Sequence, residues 1–352
     1  MAAPTPPAPP LLPSTPVPGT NEAMLQMMSM MQAMMGMTAV PQPAPDPSAV
    51  PFTAVESPAA ADEAPAEGIV RPAKIEKPIR EQAPLVTGTL LDRLCLDEKG
   101  KRALGGIPKG CLVTLAGAPD KGKMRTALAA LAHVVKAGIP SVLVVGDESL
   151  AAADGSSNRD DLATRLARIG GESTRTSPAE FTKDVLDKLN VLESHWDRAD
   201  RMWDAFIQRY RFVVEKLGIK FAVIDSIGML DPSKAATADN LGALKTYNHE
   251  HGVTCLIVGQ IRESTGLPVG GSSLMHTCDV VYFIEEISLG SKEMAEFWGG
   301  TYRDKIDLLV CAKSVTTPVF ALPVRIEKNP ERGTITLSEM NPTAHTPPDV
   351  DE

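Results

Sequence analysis

Gly117–Met124, reading GAPDKGKM, holds the residue types best suited to gripping a polyphosphate. The template G-x-x-x-x-G-K-[ST] is met at Gly117, Gly122 and Lys123 and broken at its last place, where Met124 replaces a hydroxyl residue. Glycines let backbone N–H groups converge on phosphate oxygens, and a helix starting at the lysine adds its positive end. The candidate cradle is Gly117, Ala118, Pro119, Asp120, Lys121, Gly122, Lys123, Met124 and Arg125, with Lys123 as a point charge for the β/γ-phosphates. The missing hydroxyl normally coordinates Mg²⁺, and a thioether offers it no oxygen. Thr126 is no simple substitute, because two helical positions turn a side chain by ~200°.

A cradle of this kind needs a strand before it and a helix after it, and the flanks supply both. Cys111–Ala116 is an apolar strand, and Arg125–Lys136 carries a helical Ala/Leu/Val period. Ser141–Val145, Leu189–Leu192, Phe221–Asp225, Thr254–Gln260 and Val280–Ile284 read as further strands. Helices are expected at Asp160–Ile169, Arg198–Leu217, Ala236–Glu250 and Ser272–Cys278. Asp307–Ala312, Phe320–Ile326 and Thr334–Leu337 then follow as strands with no long helix between them. Alternation implies an α/β fold with a mostly parallel central sheet flanked by helices, and the closing run implies antiparallel strands at one edge. Asp225 ends an apolar strand, where a carboxylate can organise a metal-bound water next to phosphate.

Composition divides the chain into three parts: a Pro/Ala/Met-rich tail and linker over 1–84, a folded core over 85–338, and an acidic tail over 339–352. The net charge of -9 is concentrated outside the core: residues 1–68 and 339–352 hold ten of the 44 acids and no lysine or arginine. The remainder is close to neutral, at about +1, and neither demands nor forbids nucleic acid. Met24–Met37 can form a short helix with a methionine face, either a docking peptide for a protein partner or low-complexity chain that frays. Five scattered cysteines without C-x-x-C spacing imply buried, reduced thiols. With no run of 18 apolar residues and no leader pattern, the expectation is a cytoplasmic chain without membrane contact, or host-cytoplasmic if phage-encoded.

The order LGGIPKGCLVTLAGAPDKGKMRTALA, VLVVGDES, FAVIDSIGML, LIVGQIRESTG and HTCDVVYFIEE resembles the RecA superfamily of P-loop ATPases, the RecA and RadA recombination enzymes in particular. It spans roughly Leu90–Leu337. The resemblance implies a RecA-like core binding ATP and Mg²⁺, with Glu148, or less favourably Asp147, polarising the attacking water. It implies Gln260 as the γ-phosphate sensor, Arg262–Gly271 as a loop contacting single-stranded DNA, and Lys313 as a cation reaching a neighbouring subunit's nucleotide in a homo-oligomer.

Departures from the family matter equally. RadA's zinc ribbon and protease-like domain are absent from the sequence. Ser314-Val315-Thr316-Thr317 stands where RadA continues Asn-Arg-Phe-Gly, and Arg262–Gly271 offers one positive charge. Residues 286–304 look like an insertion whose Phe297 and Trp298 serve a partner surface or pack beneath a loop. Three functions stay open: a RecA/RadA-like protein acting with DNA in recombination, repair or replication; a pseudo-ATPase serving as an assembly or regulatory subunit; and a KaiC-like oligomeric signalling ATPase.

Overall fold

The computed structural model describes residues 83–146, 162–185, 188–193, 202–226, 228, 237–261 and 273–350. Two short strands, β1 (Pro84–Leu85) and β2 (Ile107–Pro108), pair antiparallel ahead of the main sheet. That sheet runs through β3 (Leu112–Gly117), β4 (Ser141–Val145), β5 (Leu189–Glu193), β6 (Phe221–Asp225), β7 (Thr254–Gln260), β8 (Val280–Ser288), β9 (Lys305–Ser314), β10 (Val324–Lys328) and β11 (Ile335–Leu337). Its order is β11-β10-β9-β8-β3-β7-β6-β4-β5. The five strands from β3 to β7, with β8, pair parallel, while β9, β10 and β11 close one side antiparallel. This is the α/β architecture the alternation demands.

Helices cover both faces, which is why the central strands are apolar throughout rather than alternating. On one face lie α1 (Lys123–Lys136), α2 (Leu162–Ser173) and α3 (Pro178–Asp184); on the other lie α4 (Met202–Leu217), α5 (Thr237–His251) and α6 (Ser273–Thr277). Side-chain parity follows the strand period of two. Val113, Leu115, Phe221, Val223, Leu256, Val258, Tyr282 and Ile284 pack beneath α1, whereas Leu112, Ala116, Ala222, Ile224, Ile257 and Phe283 pack beneath α4 and α5. Continuing that parity to the strand ends puts Asp225, Gln260 and Glu286 on the α1 face.

Helix α3 is absent from the sequence expectations, although its signal was present. Ser177 caps it, accepting from the Glu180 N–H at 3.2 Å, while the Glu180 carboxylate accepts from the Ser177 N–H at 3.0 Å, with Pro178 at the first helical position. The 286–304 insertion is in part a lengthening of the β8–β9 hairpin, tipped by the short helix α7 (Lys292–Phe297). At that tip Trp298 is buried in edge-on contact with Phe297 and His345, while Phe297 is half exposed.

The chain does not leave the body after β11. Asn341 brackets the Arg325 backbone with bonds of 2.6 and 2.7 Å, the His345 ring meets the Pro323 carbonyl at 2.7 Å, and Arg93 donates to the Pro347 carbonyl at 2.6 Å. Arg93 also pairs with Asp349 at 2.8 Å, so residues 341–349 are tied to the body by a cation and by backbone bonds that composition does not advertise. All five cysteines are free and buried, and burial raises their thiol pKa values, Cys111 to about 11 and Cys278 to about 12. No helix among the described residues is long and apolar enough to cross a membrane.

Candidate nucleotide site

Helix α1 begins at Lys123 with Gly122 as its cap in the left-handed region, φ 80°. A Cβ at Gly122 would also lie 2.6 Å from the Gly333 carbonyl oxygen, so both its conformation and its neighbour require glycine. The first turn of α1 contains no acid but carries Lys123 and Arg125. Cations at a helix N-terminus oppose the macrodipole, an arrangement that an anion bound there would reverse into a favourable one.

Lys123 is buried, and its ammonium donates to the Ala118 carbonyl at 2.5 Å, folding back over the loop. Burial lowers its pKa, opposed by the charges of Asp225 and Asp120. Asp225, ending β6, and Gln260, ending β7 beside Gly117, share with the loop a cleft of about 600 Å³. That volume lies within the range of small-molecule sites.

The turn between β10 and β11 forms the opposite wall, with Lys328, Asn329, Pro330, Glu331 and Gly333, and α2 contributes Arg165 and Ile169. None of these was singled out from sequence. Asn329-Pro330 does signal a turn, but placing it against a loop 200 positions earlier requires the antiparallel topology.

The loop itself is braced on several sides. Lys121 bonds to Asp307 at 2.7 Å and to Glu286 at 2.8 Å. Burial works against the Lys121 ammonium, yet the bonds to these two carboxylates outweigh it and leave its pKa raised. Hydrogen bonds from Lys121 and Lys305 pull Glu286 down to about 2. Lys328 donates to the Asp120 carbonyl at 2.8 Å and pairs with its carboxylate at 3.1 Å. Arg125 donates to the Arg332 carbonyl at 3.0 Å, and the Thr126 hydroxyl accepts from the buried Ile335 N–H at 2.8 Å.

These contacts decide how well the cleft suits magnesium. Met124 lines the cleft, partly buried and packed against the hydrophobic core. The Thr126 hydroxyl is committed to β11. Among the described residues no three His, Cys, Asp or Glu side chains converge on a cation site. The donors present therefore do not fit a magnesium ion held directly by a protein hydroxyl, as the template requires.

Lys313 is elsewhere. It pairs across from Val281 near the start of β8, whereas the loop joins the far ends of the strands at Gly117 and Ile284. Its ammonium donates to the Met275 and His276 carbonyls at 3.1 and 2.6 Å, closing the C-terminus of α6. It does not line the cleft of its own chain. Asp147, Glu148, Arg262–Gly271 and Met24–Met37 lie outside the described residues. A second cavity, lined by Gly88, His133, Lys136, Ser173, Thr174 and Arg175, sits where α1 and α2 end. Lys136 is spent there on the Thr174 carbonyl at 2.6 Å, and the negative ends of two helices disfavour an anion.

A match to a family model agrees with the fold and refines the resemblance. The family described as ATPase: KaiC matches residues 87–293. Among solved structures, a KaiC-like protein from the hyperthermophilic archaeon Pyrococcus horikoshii OT3 is similar at 17% identity and a TM-score of 0.49, covering 74% of this chain and 100% of that one. No curated protein matches the sequence. The RecA-like P-loop fold expected from motif order is upheld, and the family match covers more than half of the residues: the chain belongs to the KaiC ATPase family.

Proposed function

We propose that the chain binds a nucleoside triphosphate, ATP in the first instance, in the cleft between the 117–125 loop and the β10–β11 turn, and hydrolyses it slowly or only when assembled. The observation that carries this reading is Lys123: a buried lysine at a helix N-terminus, its ammonium turned onto its own loop, lining with Asp225 a cleft of about 600 Å³. Incoming phosphate would take the ammonium from the Ala118 carbonyl. Gln260, which lines the cleft, is assigned contact with the terminal phosphate, and Glu148 the orientation of water. Lys313 acts from an adjacent copy of the chain in a homo-oligomer, since in its own chain it lies at the opposite end of the strands. Such an arrangement makes turnover depend on assembly.

An oligomeric, nucleotide-driven signalling role now stands ahead of a role with DNA in recombination, repair or replication. The family matched is KaiC. Arg262–Gly271 supplies one arginine and one glutamate, too little charge to hold a phosphate backbone. Calorimetry of ATP binding to the full chain and to Lys123→Ala tests the site: binding by the parent and loss in the variant is expected, and equal binding overturns it. Salt-sensitive capture of single-stranded DNA would restore the recombination reading.

A further inference from the structure

Two observations left over from the site point the same way. The template's metal-ligating hydroxyl is replaced by Met124, and the Thr126 hydroxyl, two helical positions on, accepts from the Ile335 N–H instead. At the same time the cleft is rich in cations: Lys121, Lys123, Arg125, Arg165 and Lys328 line it, against Asp120, Asp225 and Glu331. Lys121 is committed to two carboxylates and Arg125 to a carbonyl. Lys328 is different, because its ammonium sits on the phosphate loop itself, on the Asp120 carbonyl and carboxylate. Asp120 is almost fully exposed and Lys328 close to half exposed, so their pair is one that solvent screens and a polyphosphate can displace.

We infer that this site holds nucleoside triphosphate without requiring a divalent cation, with the Lys328 ammonium supplying, next to Lys123, the second positive charge on the β/γ-phosphates. The inference rests on the nucleotide reading above and adds the identity of the counter-charge. Lys328 ends β10, a strand anchored by β9 and β11, so the ammonium comes from a fixed direction opposite α1. A lysine is suited to this task, being a compact cation with rotatable donors on a flexible stem. Lys328 lies beyond residues 87–293, so the family match does not supply it.

The test is calorimetry of ATP and of AMP with the full-length chain, in EDTA and in excess Mg²⁺. ATP affinity in EDTA is expected within about threefold of that in Mg²⁺, and Lys328→Met is expected to weaken ATP by about tenfold or more while leaving AMP unchanged. The AMP arm separates lost phosphate contact from general damage to the cleft. Mg²⁺ tightening the parent by about tenfold or more, or Lys328→Met binding ATP as the parent does, overturns the inference. Strong Mg²⁺ dependence together with loss of ATP binding in Lys123→Ala removes this inference and keeps the nucleotide reading. No ATP binding in either buffer removes both.

Discussion

Replacing Thr126 by valine keeps its shape and removes one acceptor, which makes it a sharp probe of how the site is built. Thr126 is 1% exposed and Ile335 3% exposed, and the Ile335 N–H meets the Thr126 hydroxyl at 2.8 Å. Valine would leave that N–H buried and unpaired, a loss of about 1–3 kcal/mol. Packing changes little, so the penalty is almost wholly polar, and Thr126→Ser, which retains the oxygen, should cost less. Chemical denaturation would read the difference directly, and the melting temperature should fall by roughly 2–4 °C for each kcal/mol. The alternative role for this hydroxyl is magnesium coordination in place of the residue missing at 124. A Thr126→Val protein as stable as the parent, but with Mg²⁺-dependent hydrolysis lost, would refute the assignment of Thr126 to β11.

Other perturbations test neighbouring parts of the same construction. Gly122→Ala combines a φ of 80° with a 2.6 Å approach to the Gly333 oxygen, so it should destabilise by more than the ~1–3 kcal/mol of the backbone conformation alone, read by denaturation. Glu286 has its pKa lowered from 4.5 to about 2, so its bonds to Lys121 and Lys305 contribute stability above pH 4.5 that is lost as pH falls toward 2. Parent and Glu286→Gln should accordingly converge in stability over that interval, and a constant gap down to pH 2 would count against the pair.

Much of the fold was legible because the strands announce themselves by composition: β4, β6 and β7 fall on the residues expected from their apolar runs. Parity then places Asp225 and Gln260 on the α1 face, so one wall of the cleft could be drawn from sequence. The other wall could not. Lys328 reads as an ordinary lysine at a strand end, and nothing local says that Asp120 is its partner. Lys313 shows the converse: resemblance alone assigns it a role, whereas its bonds to the α6 carbonyls come from the long β8–β9 pairing. Single contacts in the acidic C-terminal segment, such as Arg93 with Asp349, likewise leave no trace in composition.

The bond from Ile335 to Thr126 joins residues 209 positions apart, and Lys328 to Asp120 spans 208. On the ribosome, at ~5–20 residues per second, some tens of seconds separate the synthesis of the phosphate loop from that of the residues that brace it. Throughout that interval the nascent chain carries Lys123 without the β10–β11 wall. A product cut short before residue 328 would retain the sequence motif of a nucleotide site while lacking half of its enclosure.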